Sequence, residues 1–107
     1  MVNHHELADL CRSITVNHPN YKWKEEHEYI IPELDHAESY VYEDNELKII
    51  VAFSCGVDYE FIRVFYKDQL VYEIGRDVGI EEITDIDLVV HIESDWEQKL
   101  IEIDKKL

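Results

Sequence analysis

The sequence predicts an α+β domain: an N-terminal helix, a three- to four-stranded antiparallel meander, and a C-terminal helix or helix pair, all in one unit over residues 1–107. Three observations predict it. Apolar residues recur at helical spacing near the start, short apolar stretches between polar turns fill the middle, and helical spacing returns toward the end. The length is usual for one domain, and the chain shows no internal repeat, low-complexity stretch or linker-like composition.

The first helix is expected over residues 4–16. Leu7, Leu10, Cys11 and Ile14 make one apolar face. Asn3 is placed to cap it, with Glu6 three residues later. Asn17-His18-Pro19-Asn20 stops it, because the residue before a proline is driven out of the helical region. Residues 21–38 hold Tyr21, Trp23, Tyr29, Ile30 and Ile31 with no clean period, so irregular structure with a short strand near Tyr29–Ile31 is expected.

Residues 39–74 read as the meander. Tyr40-Val41-Tyr42 is a short strand and Glu43-Asp44-Asn45-Glu46 a polar turn. Leu47 to Ser54 is apolar on both faces except at Lys48, the pattern of a central strand. Cys55-Gly56-Val57-Asp58 turns the chain. Tyr59 to Tyr66 alternates, with Tyr59, Phe61 and Phe65 on one side and Ile62, Val64 and Tyr66 on the other. Lys67-Asp68-Gln69 turns it again, and Leu70 to Ile74 follows as the last strand.

Residues 75–83 form a glycine-containing connection. From Asp85 to Lys105 a helix is expected, because Ile86, Val89, Val90, Trp96, Leu100, Ile103 and Leu107 recur at helical spacing. Thr84 with Asp87 and Ser94 with Glu97 are competing starts, so a pair of helices broken near Ser94 is the variant reading. Ile86, Leu88, Val90 and Ile92 also alternate as a fifth strand would, and the helix is preferred. The helices then cover one sheet face.

Charge is the least ordinary property. There are 25 Asp+Glu against 10 Lys+Arg, a formal net charge of −15. Nucleic-acid backbones and anionic membranes repel such a protein, while a basic protein partner is attracted. The 46 % apolar fraction, with seven Tyr, three Phe and two Trp, separates the chain from a disordered acidic tail. No stretch approaches the roughly 20 apolar residues of a membrane span. The opening Met-Val-Asn-His-His-Glu lacks the basic and apolar regions of a secretory leader. With two isolated cysteines, Cys11 and Cys55, expected to be reduced, a cytoplasmic location is expected.

No chemistry-bearing motif emerges. The histidines 4, 5, 18, 27, 36 and 91 fit no zinc spacing, and His4 and His5, as helix neighbours, point about 100° apart. Neither a P-loop, a GxGxxG nor a GxSxG occurs. Cys55-Gly56 stands at a strand end, where nucleophiles do occur, but a buried inert thiol is the commoner fate. No catalytic residue, metal or cofactor is expected, and the chain is read as a non-enzyme.

The acids are distributed unevenly. From Glu25 to Glu60 there are eleven and one base, Lys48; from Asp77 to Gln98 there are eight and no base. Interleaved tyrosines and tryptophans offer anchors for an interface, although a solvated acidic face over an aromatic core explains most of these residues singly. With its leading helix, meander and then acidic helices, the chain resembles phage-encoded inhibitors of bacterial defence: acidic anti-CRISPR proteins and anti-restriction DNA mimics. That resemblance rests on charge and element order along most of the chain, and it implies a non-enzymatic inhibitor occupying the nucleic-acid-binding surface of a defence nuclease. The chain is also similar in size and acidity to immunity proteins that neutralise basic bacterial toxins. A small enzyme or ligand-binding domain with a pocket under the sheet is the third reading.

The residues expected to meet a basic, nucleic-acid-binding protein partner are Glu81, Glu82, Asp85 and Asp87, the densest base-free cluster. They lie on an exposed connection and at a helix start, where the macrodipole favours anions. The turn residues Glu43, Asp44 and Glu46 come second. Direct binding to nucleic acid or membrane is not expected.

Overall fold

The structure, a computed structural model, describes residues 3–17, 24–25, 37–54, 59–77, 82–89 and 95–107. Helix α1 (His4–Arg12) starts where Asn3 places it. The Asn3 side chain accepts from the Glu6 N–H at 2.9 Å, and the Glu6 carboxylate accepts from the Asn3 N–H at 3.4 Å, the reciprocal capping box read from the sequence. α geometry ends at Arg12, earlier than the expected 16, and Ser13–Asn17 continue as a π-helical turn. There the buried Thr15 donates its hydroxyl to the Cys11 carbonyl at 2.7 Å, giving that acceptor a partner where regular helical bonding runs out.

Six strands follow: β1 (Lys24–Glu25), β2 (Ala37–Glu43), β3 (Leu47–Ser54), β4 (Tyr59–Tyr66), β5 (Gln69–Asp77) and β6 (Glu82–Val89); helix α2 (Trp96–Lys106) closes the chain. The strands make one sheet in the order β1-β2-β3-β4-β5-β6, each antiparallel to its neighbour. The protein is thus an α+β fold with an N-terminal helix, an antiparallel meander and a C-terminal helix. The four expected strands are β2 to β5, and β1 and β6 extend the sheet at its two edges.

β6 is a correction. Residues from Asp85 onward were expected to be helical, yet Glu82–Val89 is a strand paired with β5. Four of its eight residues, Ile83, Thr84, Ile86 and Val89, are β-branched, which disfavours helix and suits a pleated surface. The β5 edge completes the argument by offering backbone partners. The sheet is irregular there. Ile74 faces Asp87 and Arg76 faces Ile83, so Thr84, Asp85 and Ile86 stand opposite Gly75 alone, a bulge that bends the strand. Helix α2 starts at Trp96 with Asp95 as N-cap, not from the Ser94–Glu97 box, and Asp95 makes no side-chain cap bond. The expected strand at Tyr29–Ile31, the helix stop at His18–Asn20, the turn at 55–58 and Ser94 itself lie outside the described residues.

Register puts directly opposed residues on one face. Tyr42, Ile49, Val64 and Tyr72 make one row, and Val51, Ile62 and Ile74 the next. Onto these rows pack Leu7, Ala8, Cys11 and Ile14 from α1 and its π turn, and Trp96, Leu100 and Ile103 from α2. A bulge at Val64/Phe65 admits Val71, which joins Tyr72 in the same core. Tyr72 ties the layers together: its ring lies 6.2 Å from that of Trp96, and its hydroxyl donates to the His4 carbonyl at 3.1 Å. On the opposite face Val41, Ile50, Ala52 and Phe61 are buried as well, as the continuous apolar run of β3 predicts.

The β4–β5 turn has two central residues, Lys67 and Asp68, both left-handed at φ 51° and 65°. Two positive φ values in a two-residue hairpin define the type I′ geometry that fits strand twist.

Candidate interaction surface

The turn after β2 forms because Asp44 replaces missing backbone partners with its own side chain. Its Oδ1 accepts from the N–H groups of Glu46 and Leu47, both at 2.8 Å, and its backbone N–H donates to the Leu47 carbonyl at 2.9 Å. Oδ2 accepts from the Tyr42 hydroxyl at 3.2 Å and faces Lys99 Nζ of α2 at 3.6 Å. Partial burial works against the charge on Asp44, but the Leu47 and Glu46 N–H groups, helped by Lys99 and Tyr42, outweigh it and hold the carboxyl below its ordinary pKa.

Lys99 also reaches the Glu46 carboxylate at 3.7 Å, so α2 is clamped onto this turn. Beside it Asp95 Oδ2 accepts from the Tyr66 hydroxyl at 3.0 Å, and Lys67 Nζ lies 5.0 Å from the Tyr66 ring centroid. Two open depressions adjoin across Glu46. One, of about 200 Å³, is lined by the turn, Lys48, Phe65 and Asp68; the other, of about 310 Å³, is lined by Tyr66, Lys67, Asp95, Gln98, Lys99 and Glu102. Three chain segments therefore deliver Glu43, Asp44, Glu46, Asp68, Asp95 and Glu102 to one end of the sheet, against Lys48, Lys67 and Lys99.

The sequence-expected residues divide accordingly. Glu43 and Glu46 present carboxylates at side-chain exposures of 59 % and 47 %, and the Glu43–Lys48 pair at 3.9 Å is too long and too exposed to neutralise Glu43. Asp44 is committed to the turn. Glu82, Asp85 and Asp87 lie on β6, with Asp85 in the bulge, so the expected helix macrodipole does not hold them; Glu81 lies outside the described residues. Asp68, Asp95, Glu102 and Lys99 were not singled out, since only the hairpin geometry and the packing of α2 bring them to this end.

A second ionic cluster is internal. Glu60, 1 % exposed, accepts from Arg12 Nε at 2.6 and 2.7 Å, and Arg12 Nη1 reaches Asp9 at 2.5 Å. Burial opposes the charge on Arg12, and Glu60 and Asp9 together more than restore it. The neighbouring Cys11 is a free thiol. Burial pushes its pKa up, against a weaker opposing pull from Arg12, the environment of a structural rather than a reactive thiol. Among the described residues no three His, Cys, Asp or Glu side chains are grouped to hold a metal, and no helix is long and apolar enough to cross a membrane. Cys55 and the histidines at 18, 27, 36 and 91 lie outside the described residues.

No family model, curated protein or solved structure matches this chain.

Proposed function

We propose that the chain is a non-enzymatic, cytoplasmic inhibitor that binds a basic protein surface, the nucleic-acid-binding surface of a bacterial defence nuclease, with carboxylates standing in for phosphates. The observation that carries this reading is the end of the sheet where Glu43, Glu46, Asp68 and Glu102 gather from separate segments, on a chain of net charge −15. Carboxylates already gathered on ordered backbone cost less entropy to present when a partner docks. Long-range attraction raises the encounter rate with a basic surface. The acidic edge strand β6 is the second contact in this proposal.

The test is capture of the partner from bacterial lysate on immobilised protein, followed by competition. The expected partner is basic, and duplex nucleic acid displaces it from the column. Reversing Glu43, Glu46 and Asp68 to Lys is expected to weaken binding by about tenfold or more, roughly 1.4 kcal/mol. A partner that holds nucleic acid and this protein at the same time would sink the mimicry. So would a dissociation constant that does not change with salt.

A further inference from the structure

The two helices leave an open groove of about 530 Å³ between them, lined by Glu6, Asp9, Leu10 and Ser13 from the α1 side and Ile101 and Asp104 from α2. Its position follows from helical geometry. Leu7, Cys11 and Ile14 point into the core, and Leu10 lies on the flank of that stripe, packed against the core but only partly buried. On α2, Ile101 stands one 100° step beyond the buried Leu100 and is likewise half-buried. The floor is therefore apolar. The rim is acidic: among the described residues no lysine lines the groove, Asp9 pairs with Arg12 yet keeps its side chain 69 % exposed, and the Ser13 hydroxyl donates to Asp104 at 3.2 Å, tying the two helices together.

We infer that this groove docks a basic amphipathic helix of a protein partner, with apolar side chains on Leu10 and Ile101 and Lys or Arg side chains against Glu6, Asp9 and Asp104. An apolar floor between two helices takes a helix whose anchors repeat at i, i+3, i+4 and i+7. The acidic rim selects lysine and arginine at the flanks and repels acidic segments. The same charge disfavours a second copy of this chain as occupant, since each copy carries −15. The inference rests on the reading of a basic partner given above and supplies the apolar anchor which charge alone lacks. Helix α2 joins the two surfaces, contributing Lys99 and Glu102 to the turn end and Ile101 and Asp104 to the groove.

The experiment titrates the isotopically labelled full chain with three synthetic peptides, following backbone amide shifts. One is a leucine–lysine amphipathic helix, one is its scramble of equal charge, and one is the leucine–glutamate counterpart. The amphipathic basic peptide is expected to shift amides around Leu10, Ser13 and Ile101, and to bind about tenfold more weakly to the Leu10→Gln/Ile101→Gln variant. Asp104→Asn, which removes one rim charge and keeps an oxygen for the Ser13 hydroxyl, is expected to weaken it about threefold and serves if the double variant fails to fold. Shifts confined to the turn at Glu43–Glu46, with the scramble binding equally well, overturn the groove and leave the charge reading standing. Equal binding of the leucine–glutamate peptide in the groove overturns the basic occupant. No shift anywhere with either basic peptide overturns both.

Discussion

Glu60 faces the helices from β4, and its nearly complete burial makes its charge depend on close partners, Arg12 among them. The Arg12 guanidinium bonds both carboxylate oxygens through Nε, while its own Nη2 is buried with no hydrogen-bond partner among the described residues. A buried charge costs several kcal/mol unless compensated, and removing one partner is worse than removing both. Arg12→Ala is therefore expected to destabilise the protein by about 3 kcal/mol, and Arg12→Met combined with Glu60→Leu to recover most of that loss, both measured by urea unfolding. A double variant no more stable than Arg12→Ala would show that the pair contributes net stability. Asp44 gives the pH dependence. Folding lowers its pKa below the ordinary 3.8, so its stabilisation is complete above that value and is lost as pH falls through the lower folded value. In Asp44→Asn the amide oxygen still serves the turn but the charge is gone. The stability gap between wild type and Asp44→Asn should shrink as pH drops from about 5 to about 3, and a gap independent of pH would assign the effect to the turn bonds alone.

At the scale of elements, the β4–β5 hairpin pays for its geometry in the wrong residues. Lys67 and Asp68 sit left-handed where Asn-Gly is preferred, and a side chain bearing Cβ costs about 1 kcal/mol there. Lys67→Asn with Asp68→Gly is expected to raise stability by about 1 kcal/mol in denaturant titration; a neutral result would place the compensation in the Lys67–Tyr66 ring contact. Much of the element pattern was legible. Leu47–Ser54 and Tyr59–Tyr66 end where the sequence reading ends them, with the polar turn Glu43–Glu46 before the first and the Lys67–Asp68 turn after the second. Asn3 and Glu6 announced α1. Glu82–Val89 failed because Ile86, Val89 and Val90 satisfy helical spacing while Ile86, Leu88 and Val90 satisfy alternation, and the free edge of β5 decides between them. The candidate surfaces were legible only in part. Glu43 and Glu46 are neighbours in sequence, but Asp68, Asp95 and Glu102 reach them through tertiary packing. Leu10 and Ile101 belong to helices at opposite ends of the chain.

For the whole molecule, the principal extents of 34 × 27 × 22 Å set the reach over which charges interact. At about 0.01 M salt the screening length is roughly 30 Å, so nearly every carboxylate senses every other, whereas at about 0.15 M it is roughly 8 Å. Self-repulsion from a charge of −15 opposes the compact state. The melting temperature is therefore expected to rise by several degrees between those two salt concentrations, and a flat calorimetric response would mean that local pairs such as Lys99 with Asp44 and Glu46 already cancel the field. The strand order has a further consequence, for the chain as it leaves the ribosome. Each strand neighbours the one made just before it, so β2 to β5 can pair as hairpins while synthesis continues. About 30 residues are added between the end of β5 and the end of α2, roughly two to six seconds of translation at ~5–20 residues per second. Until α2 has been made, Ile49, Val64 and Tyr72 lack the cover of Trp96, Leu100 and Ile103, and the sheet keeps part of a sticky apolar face open.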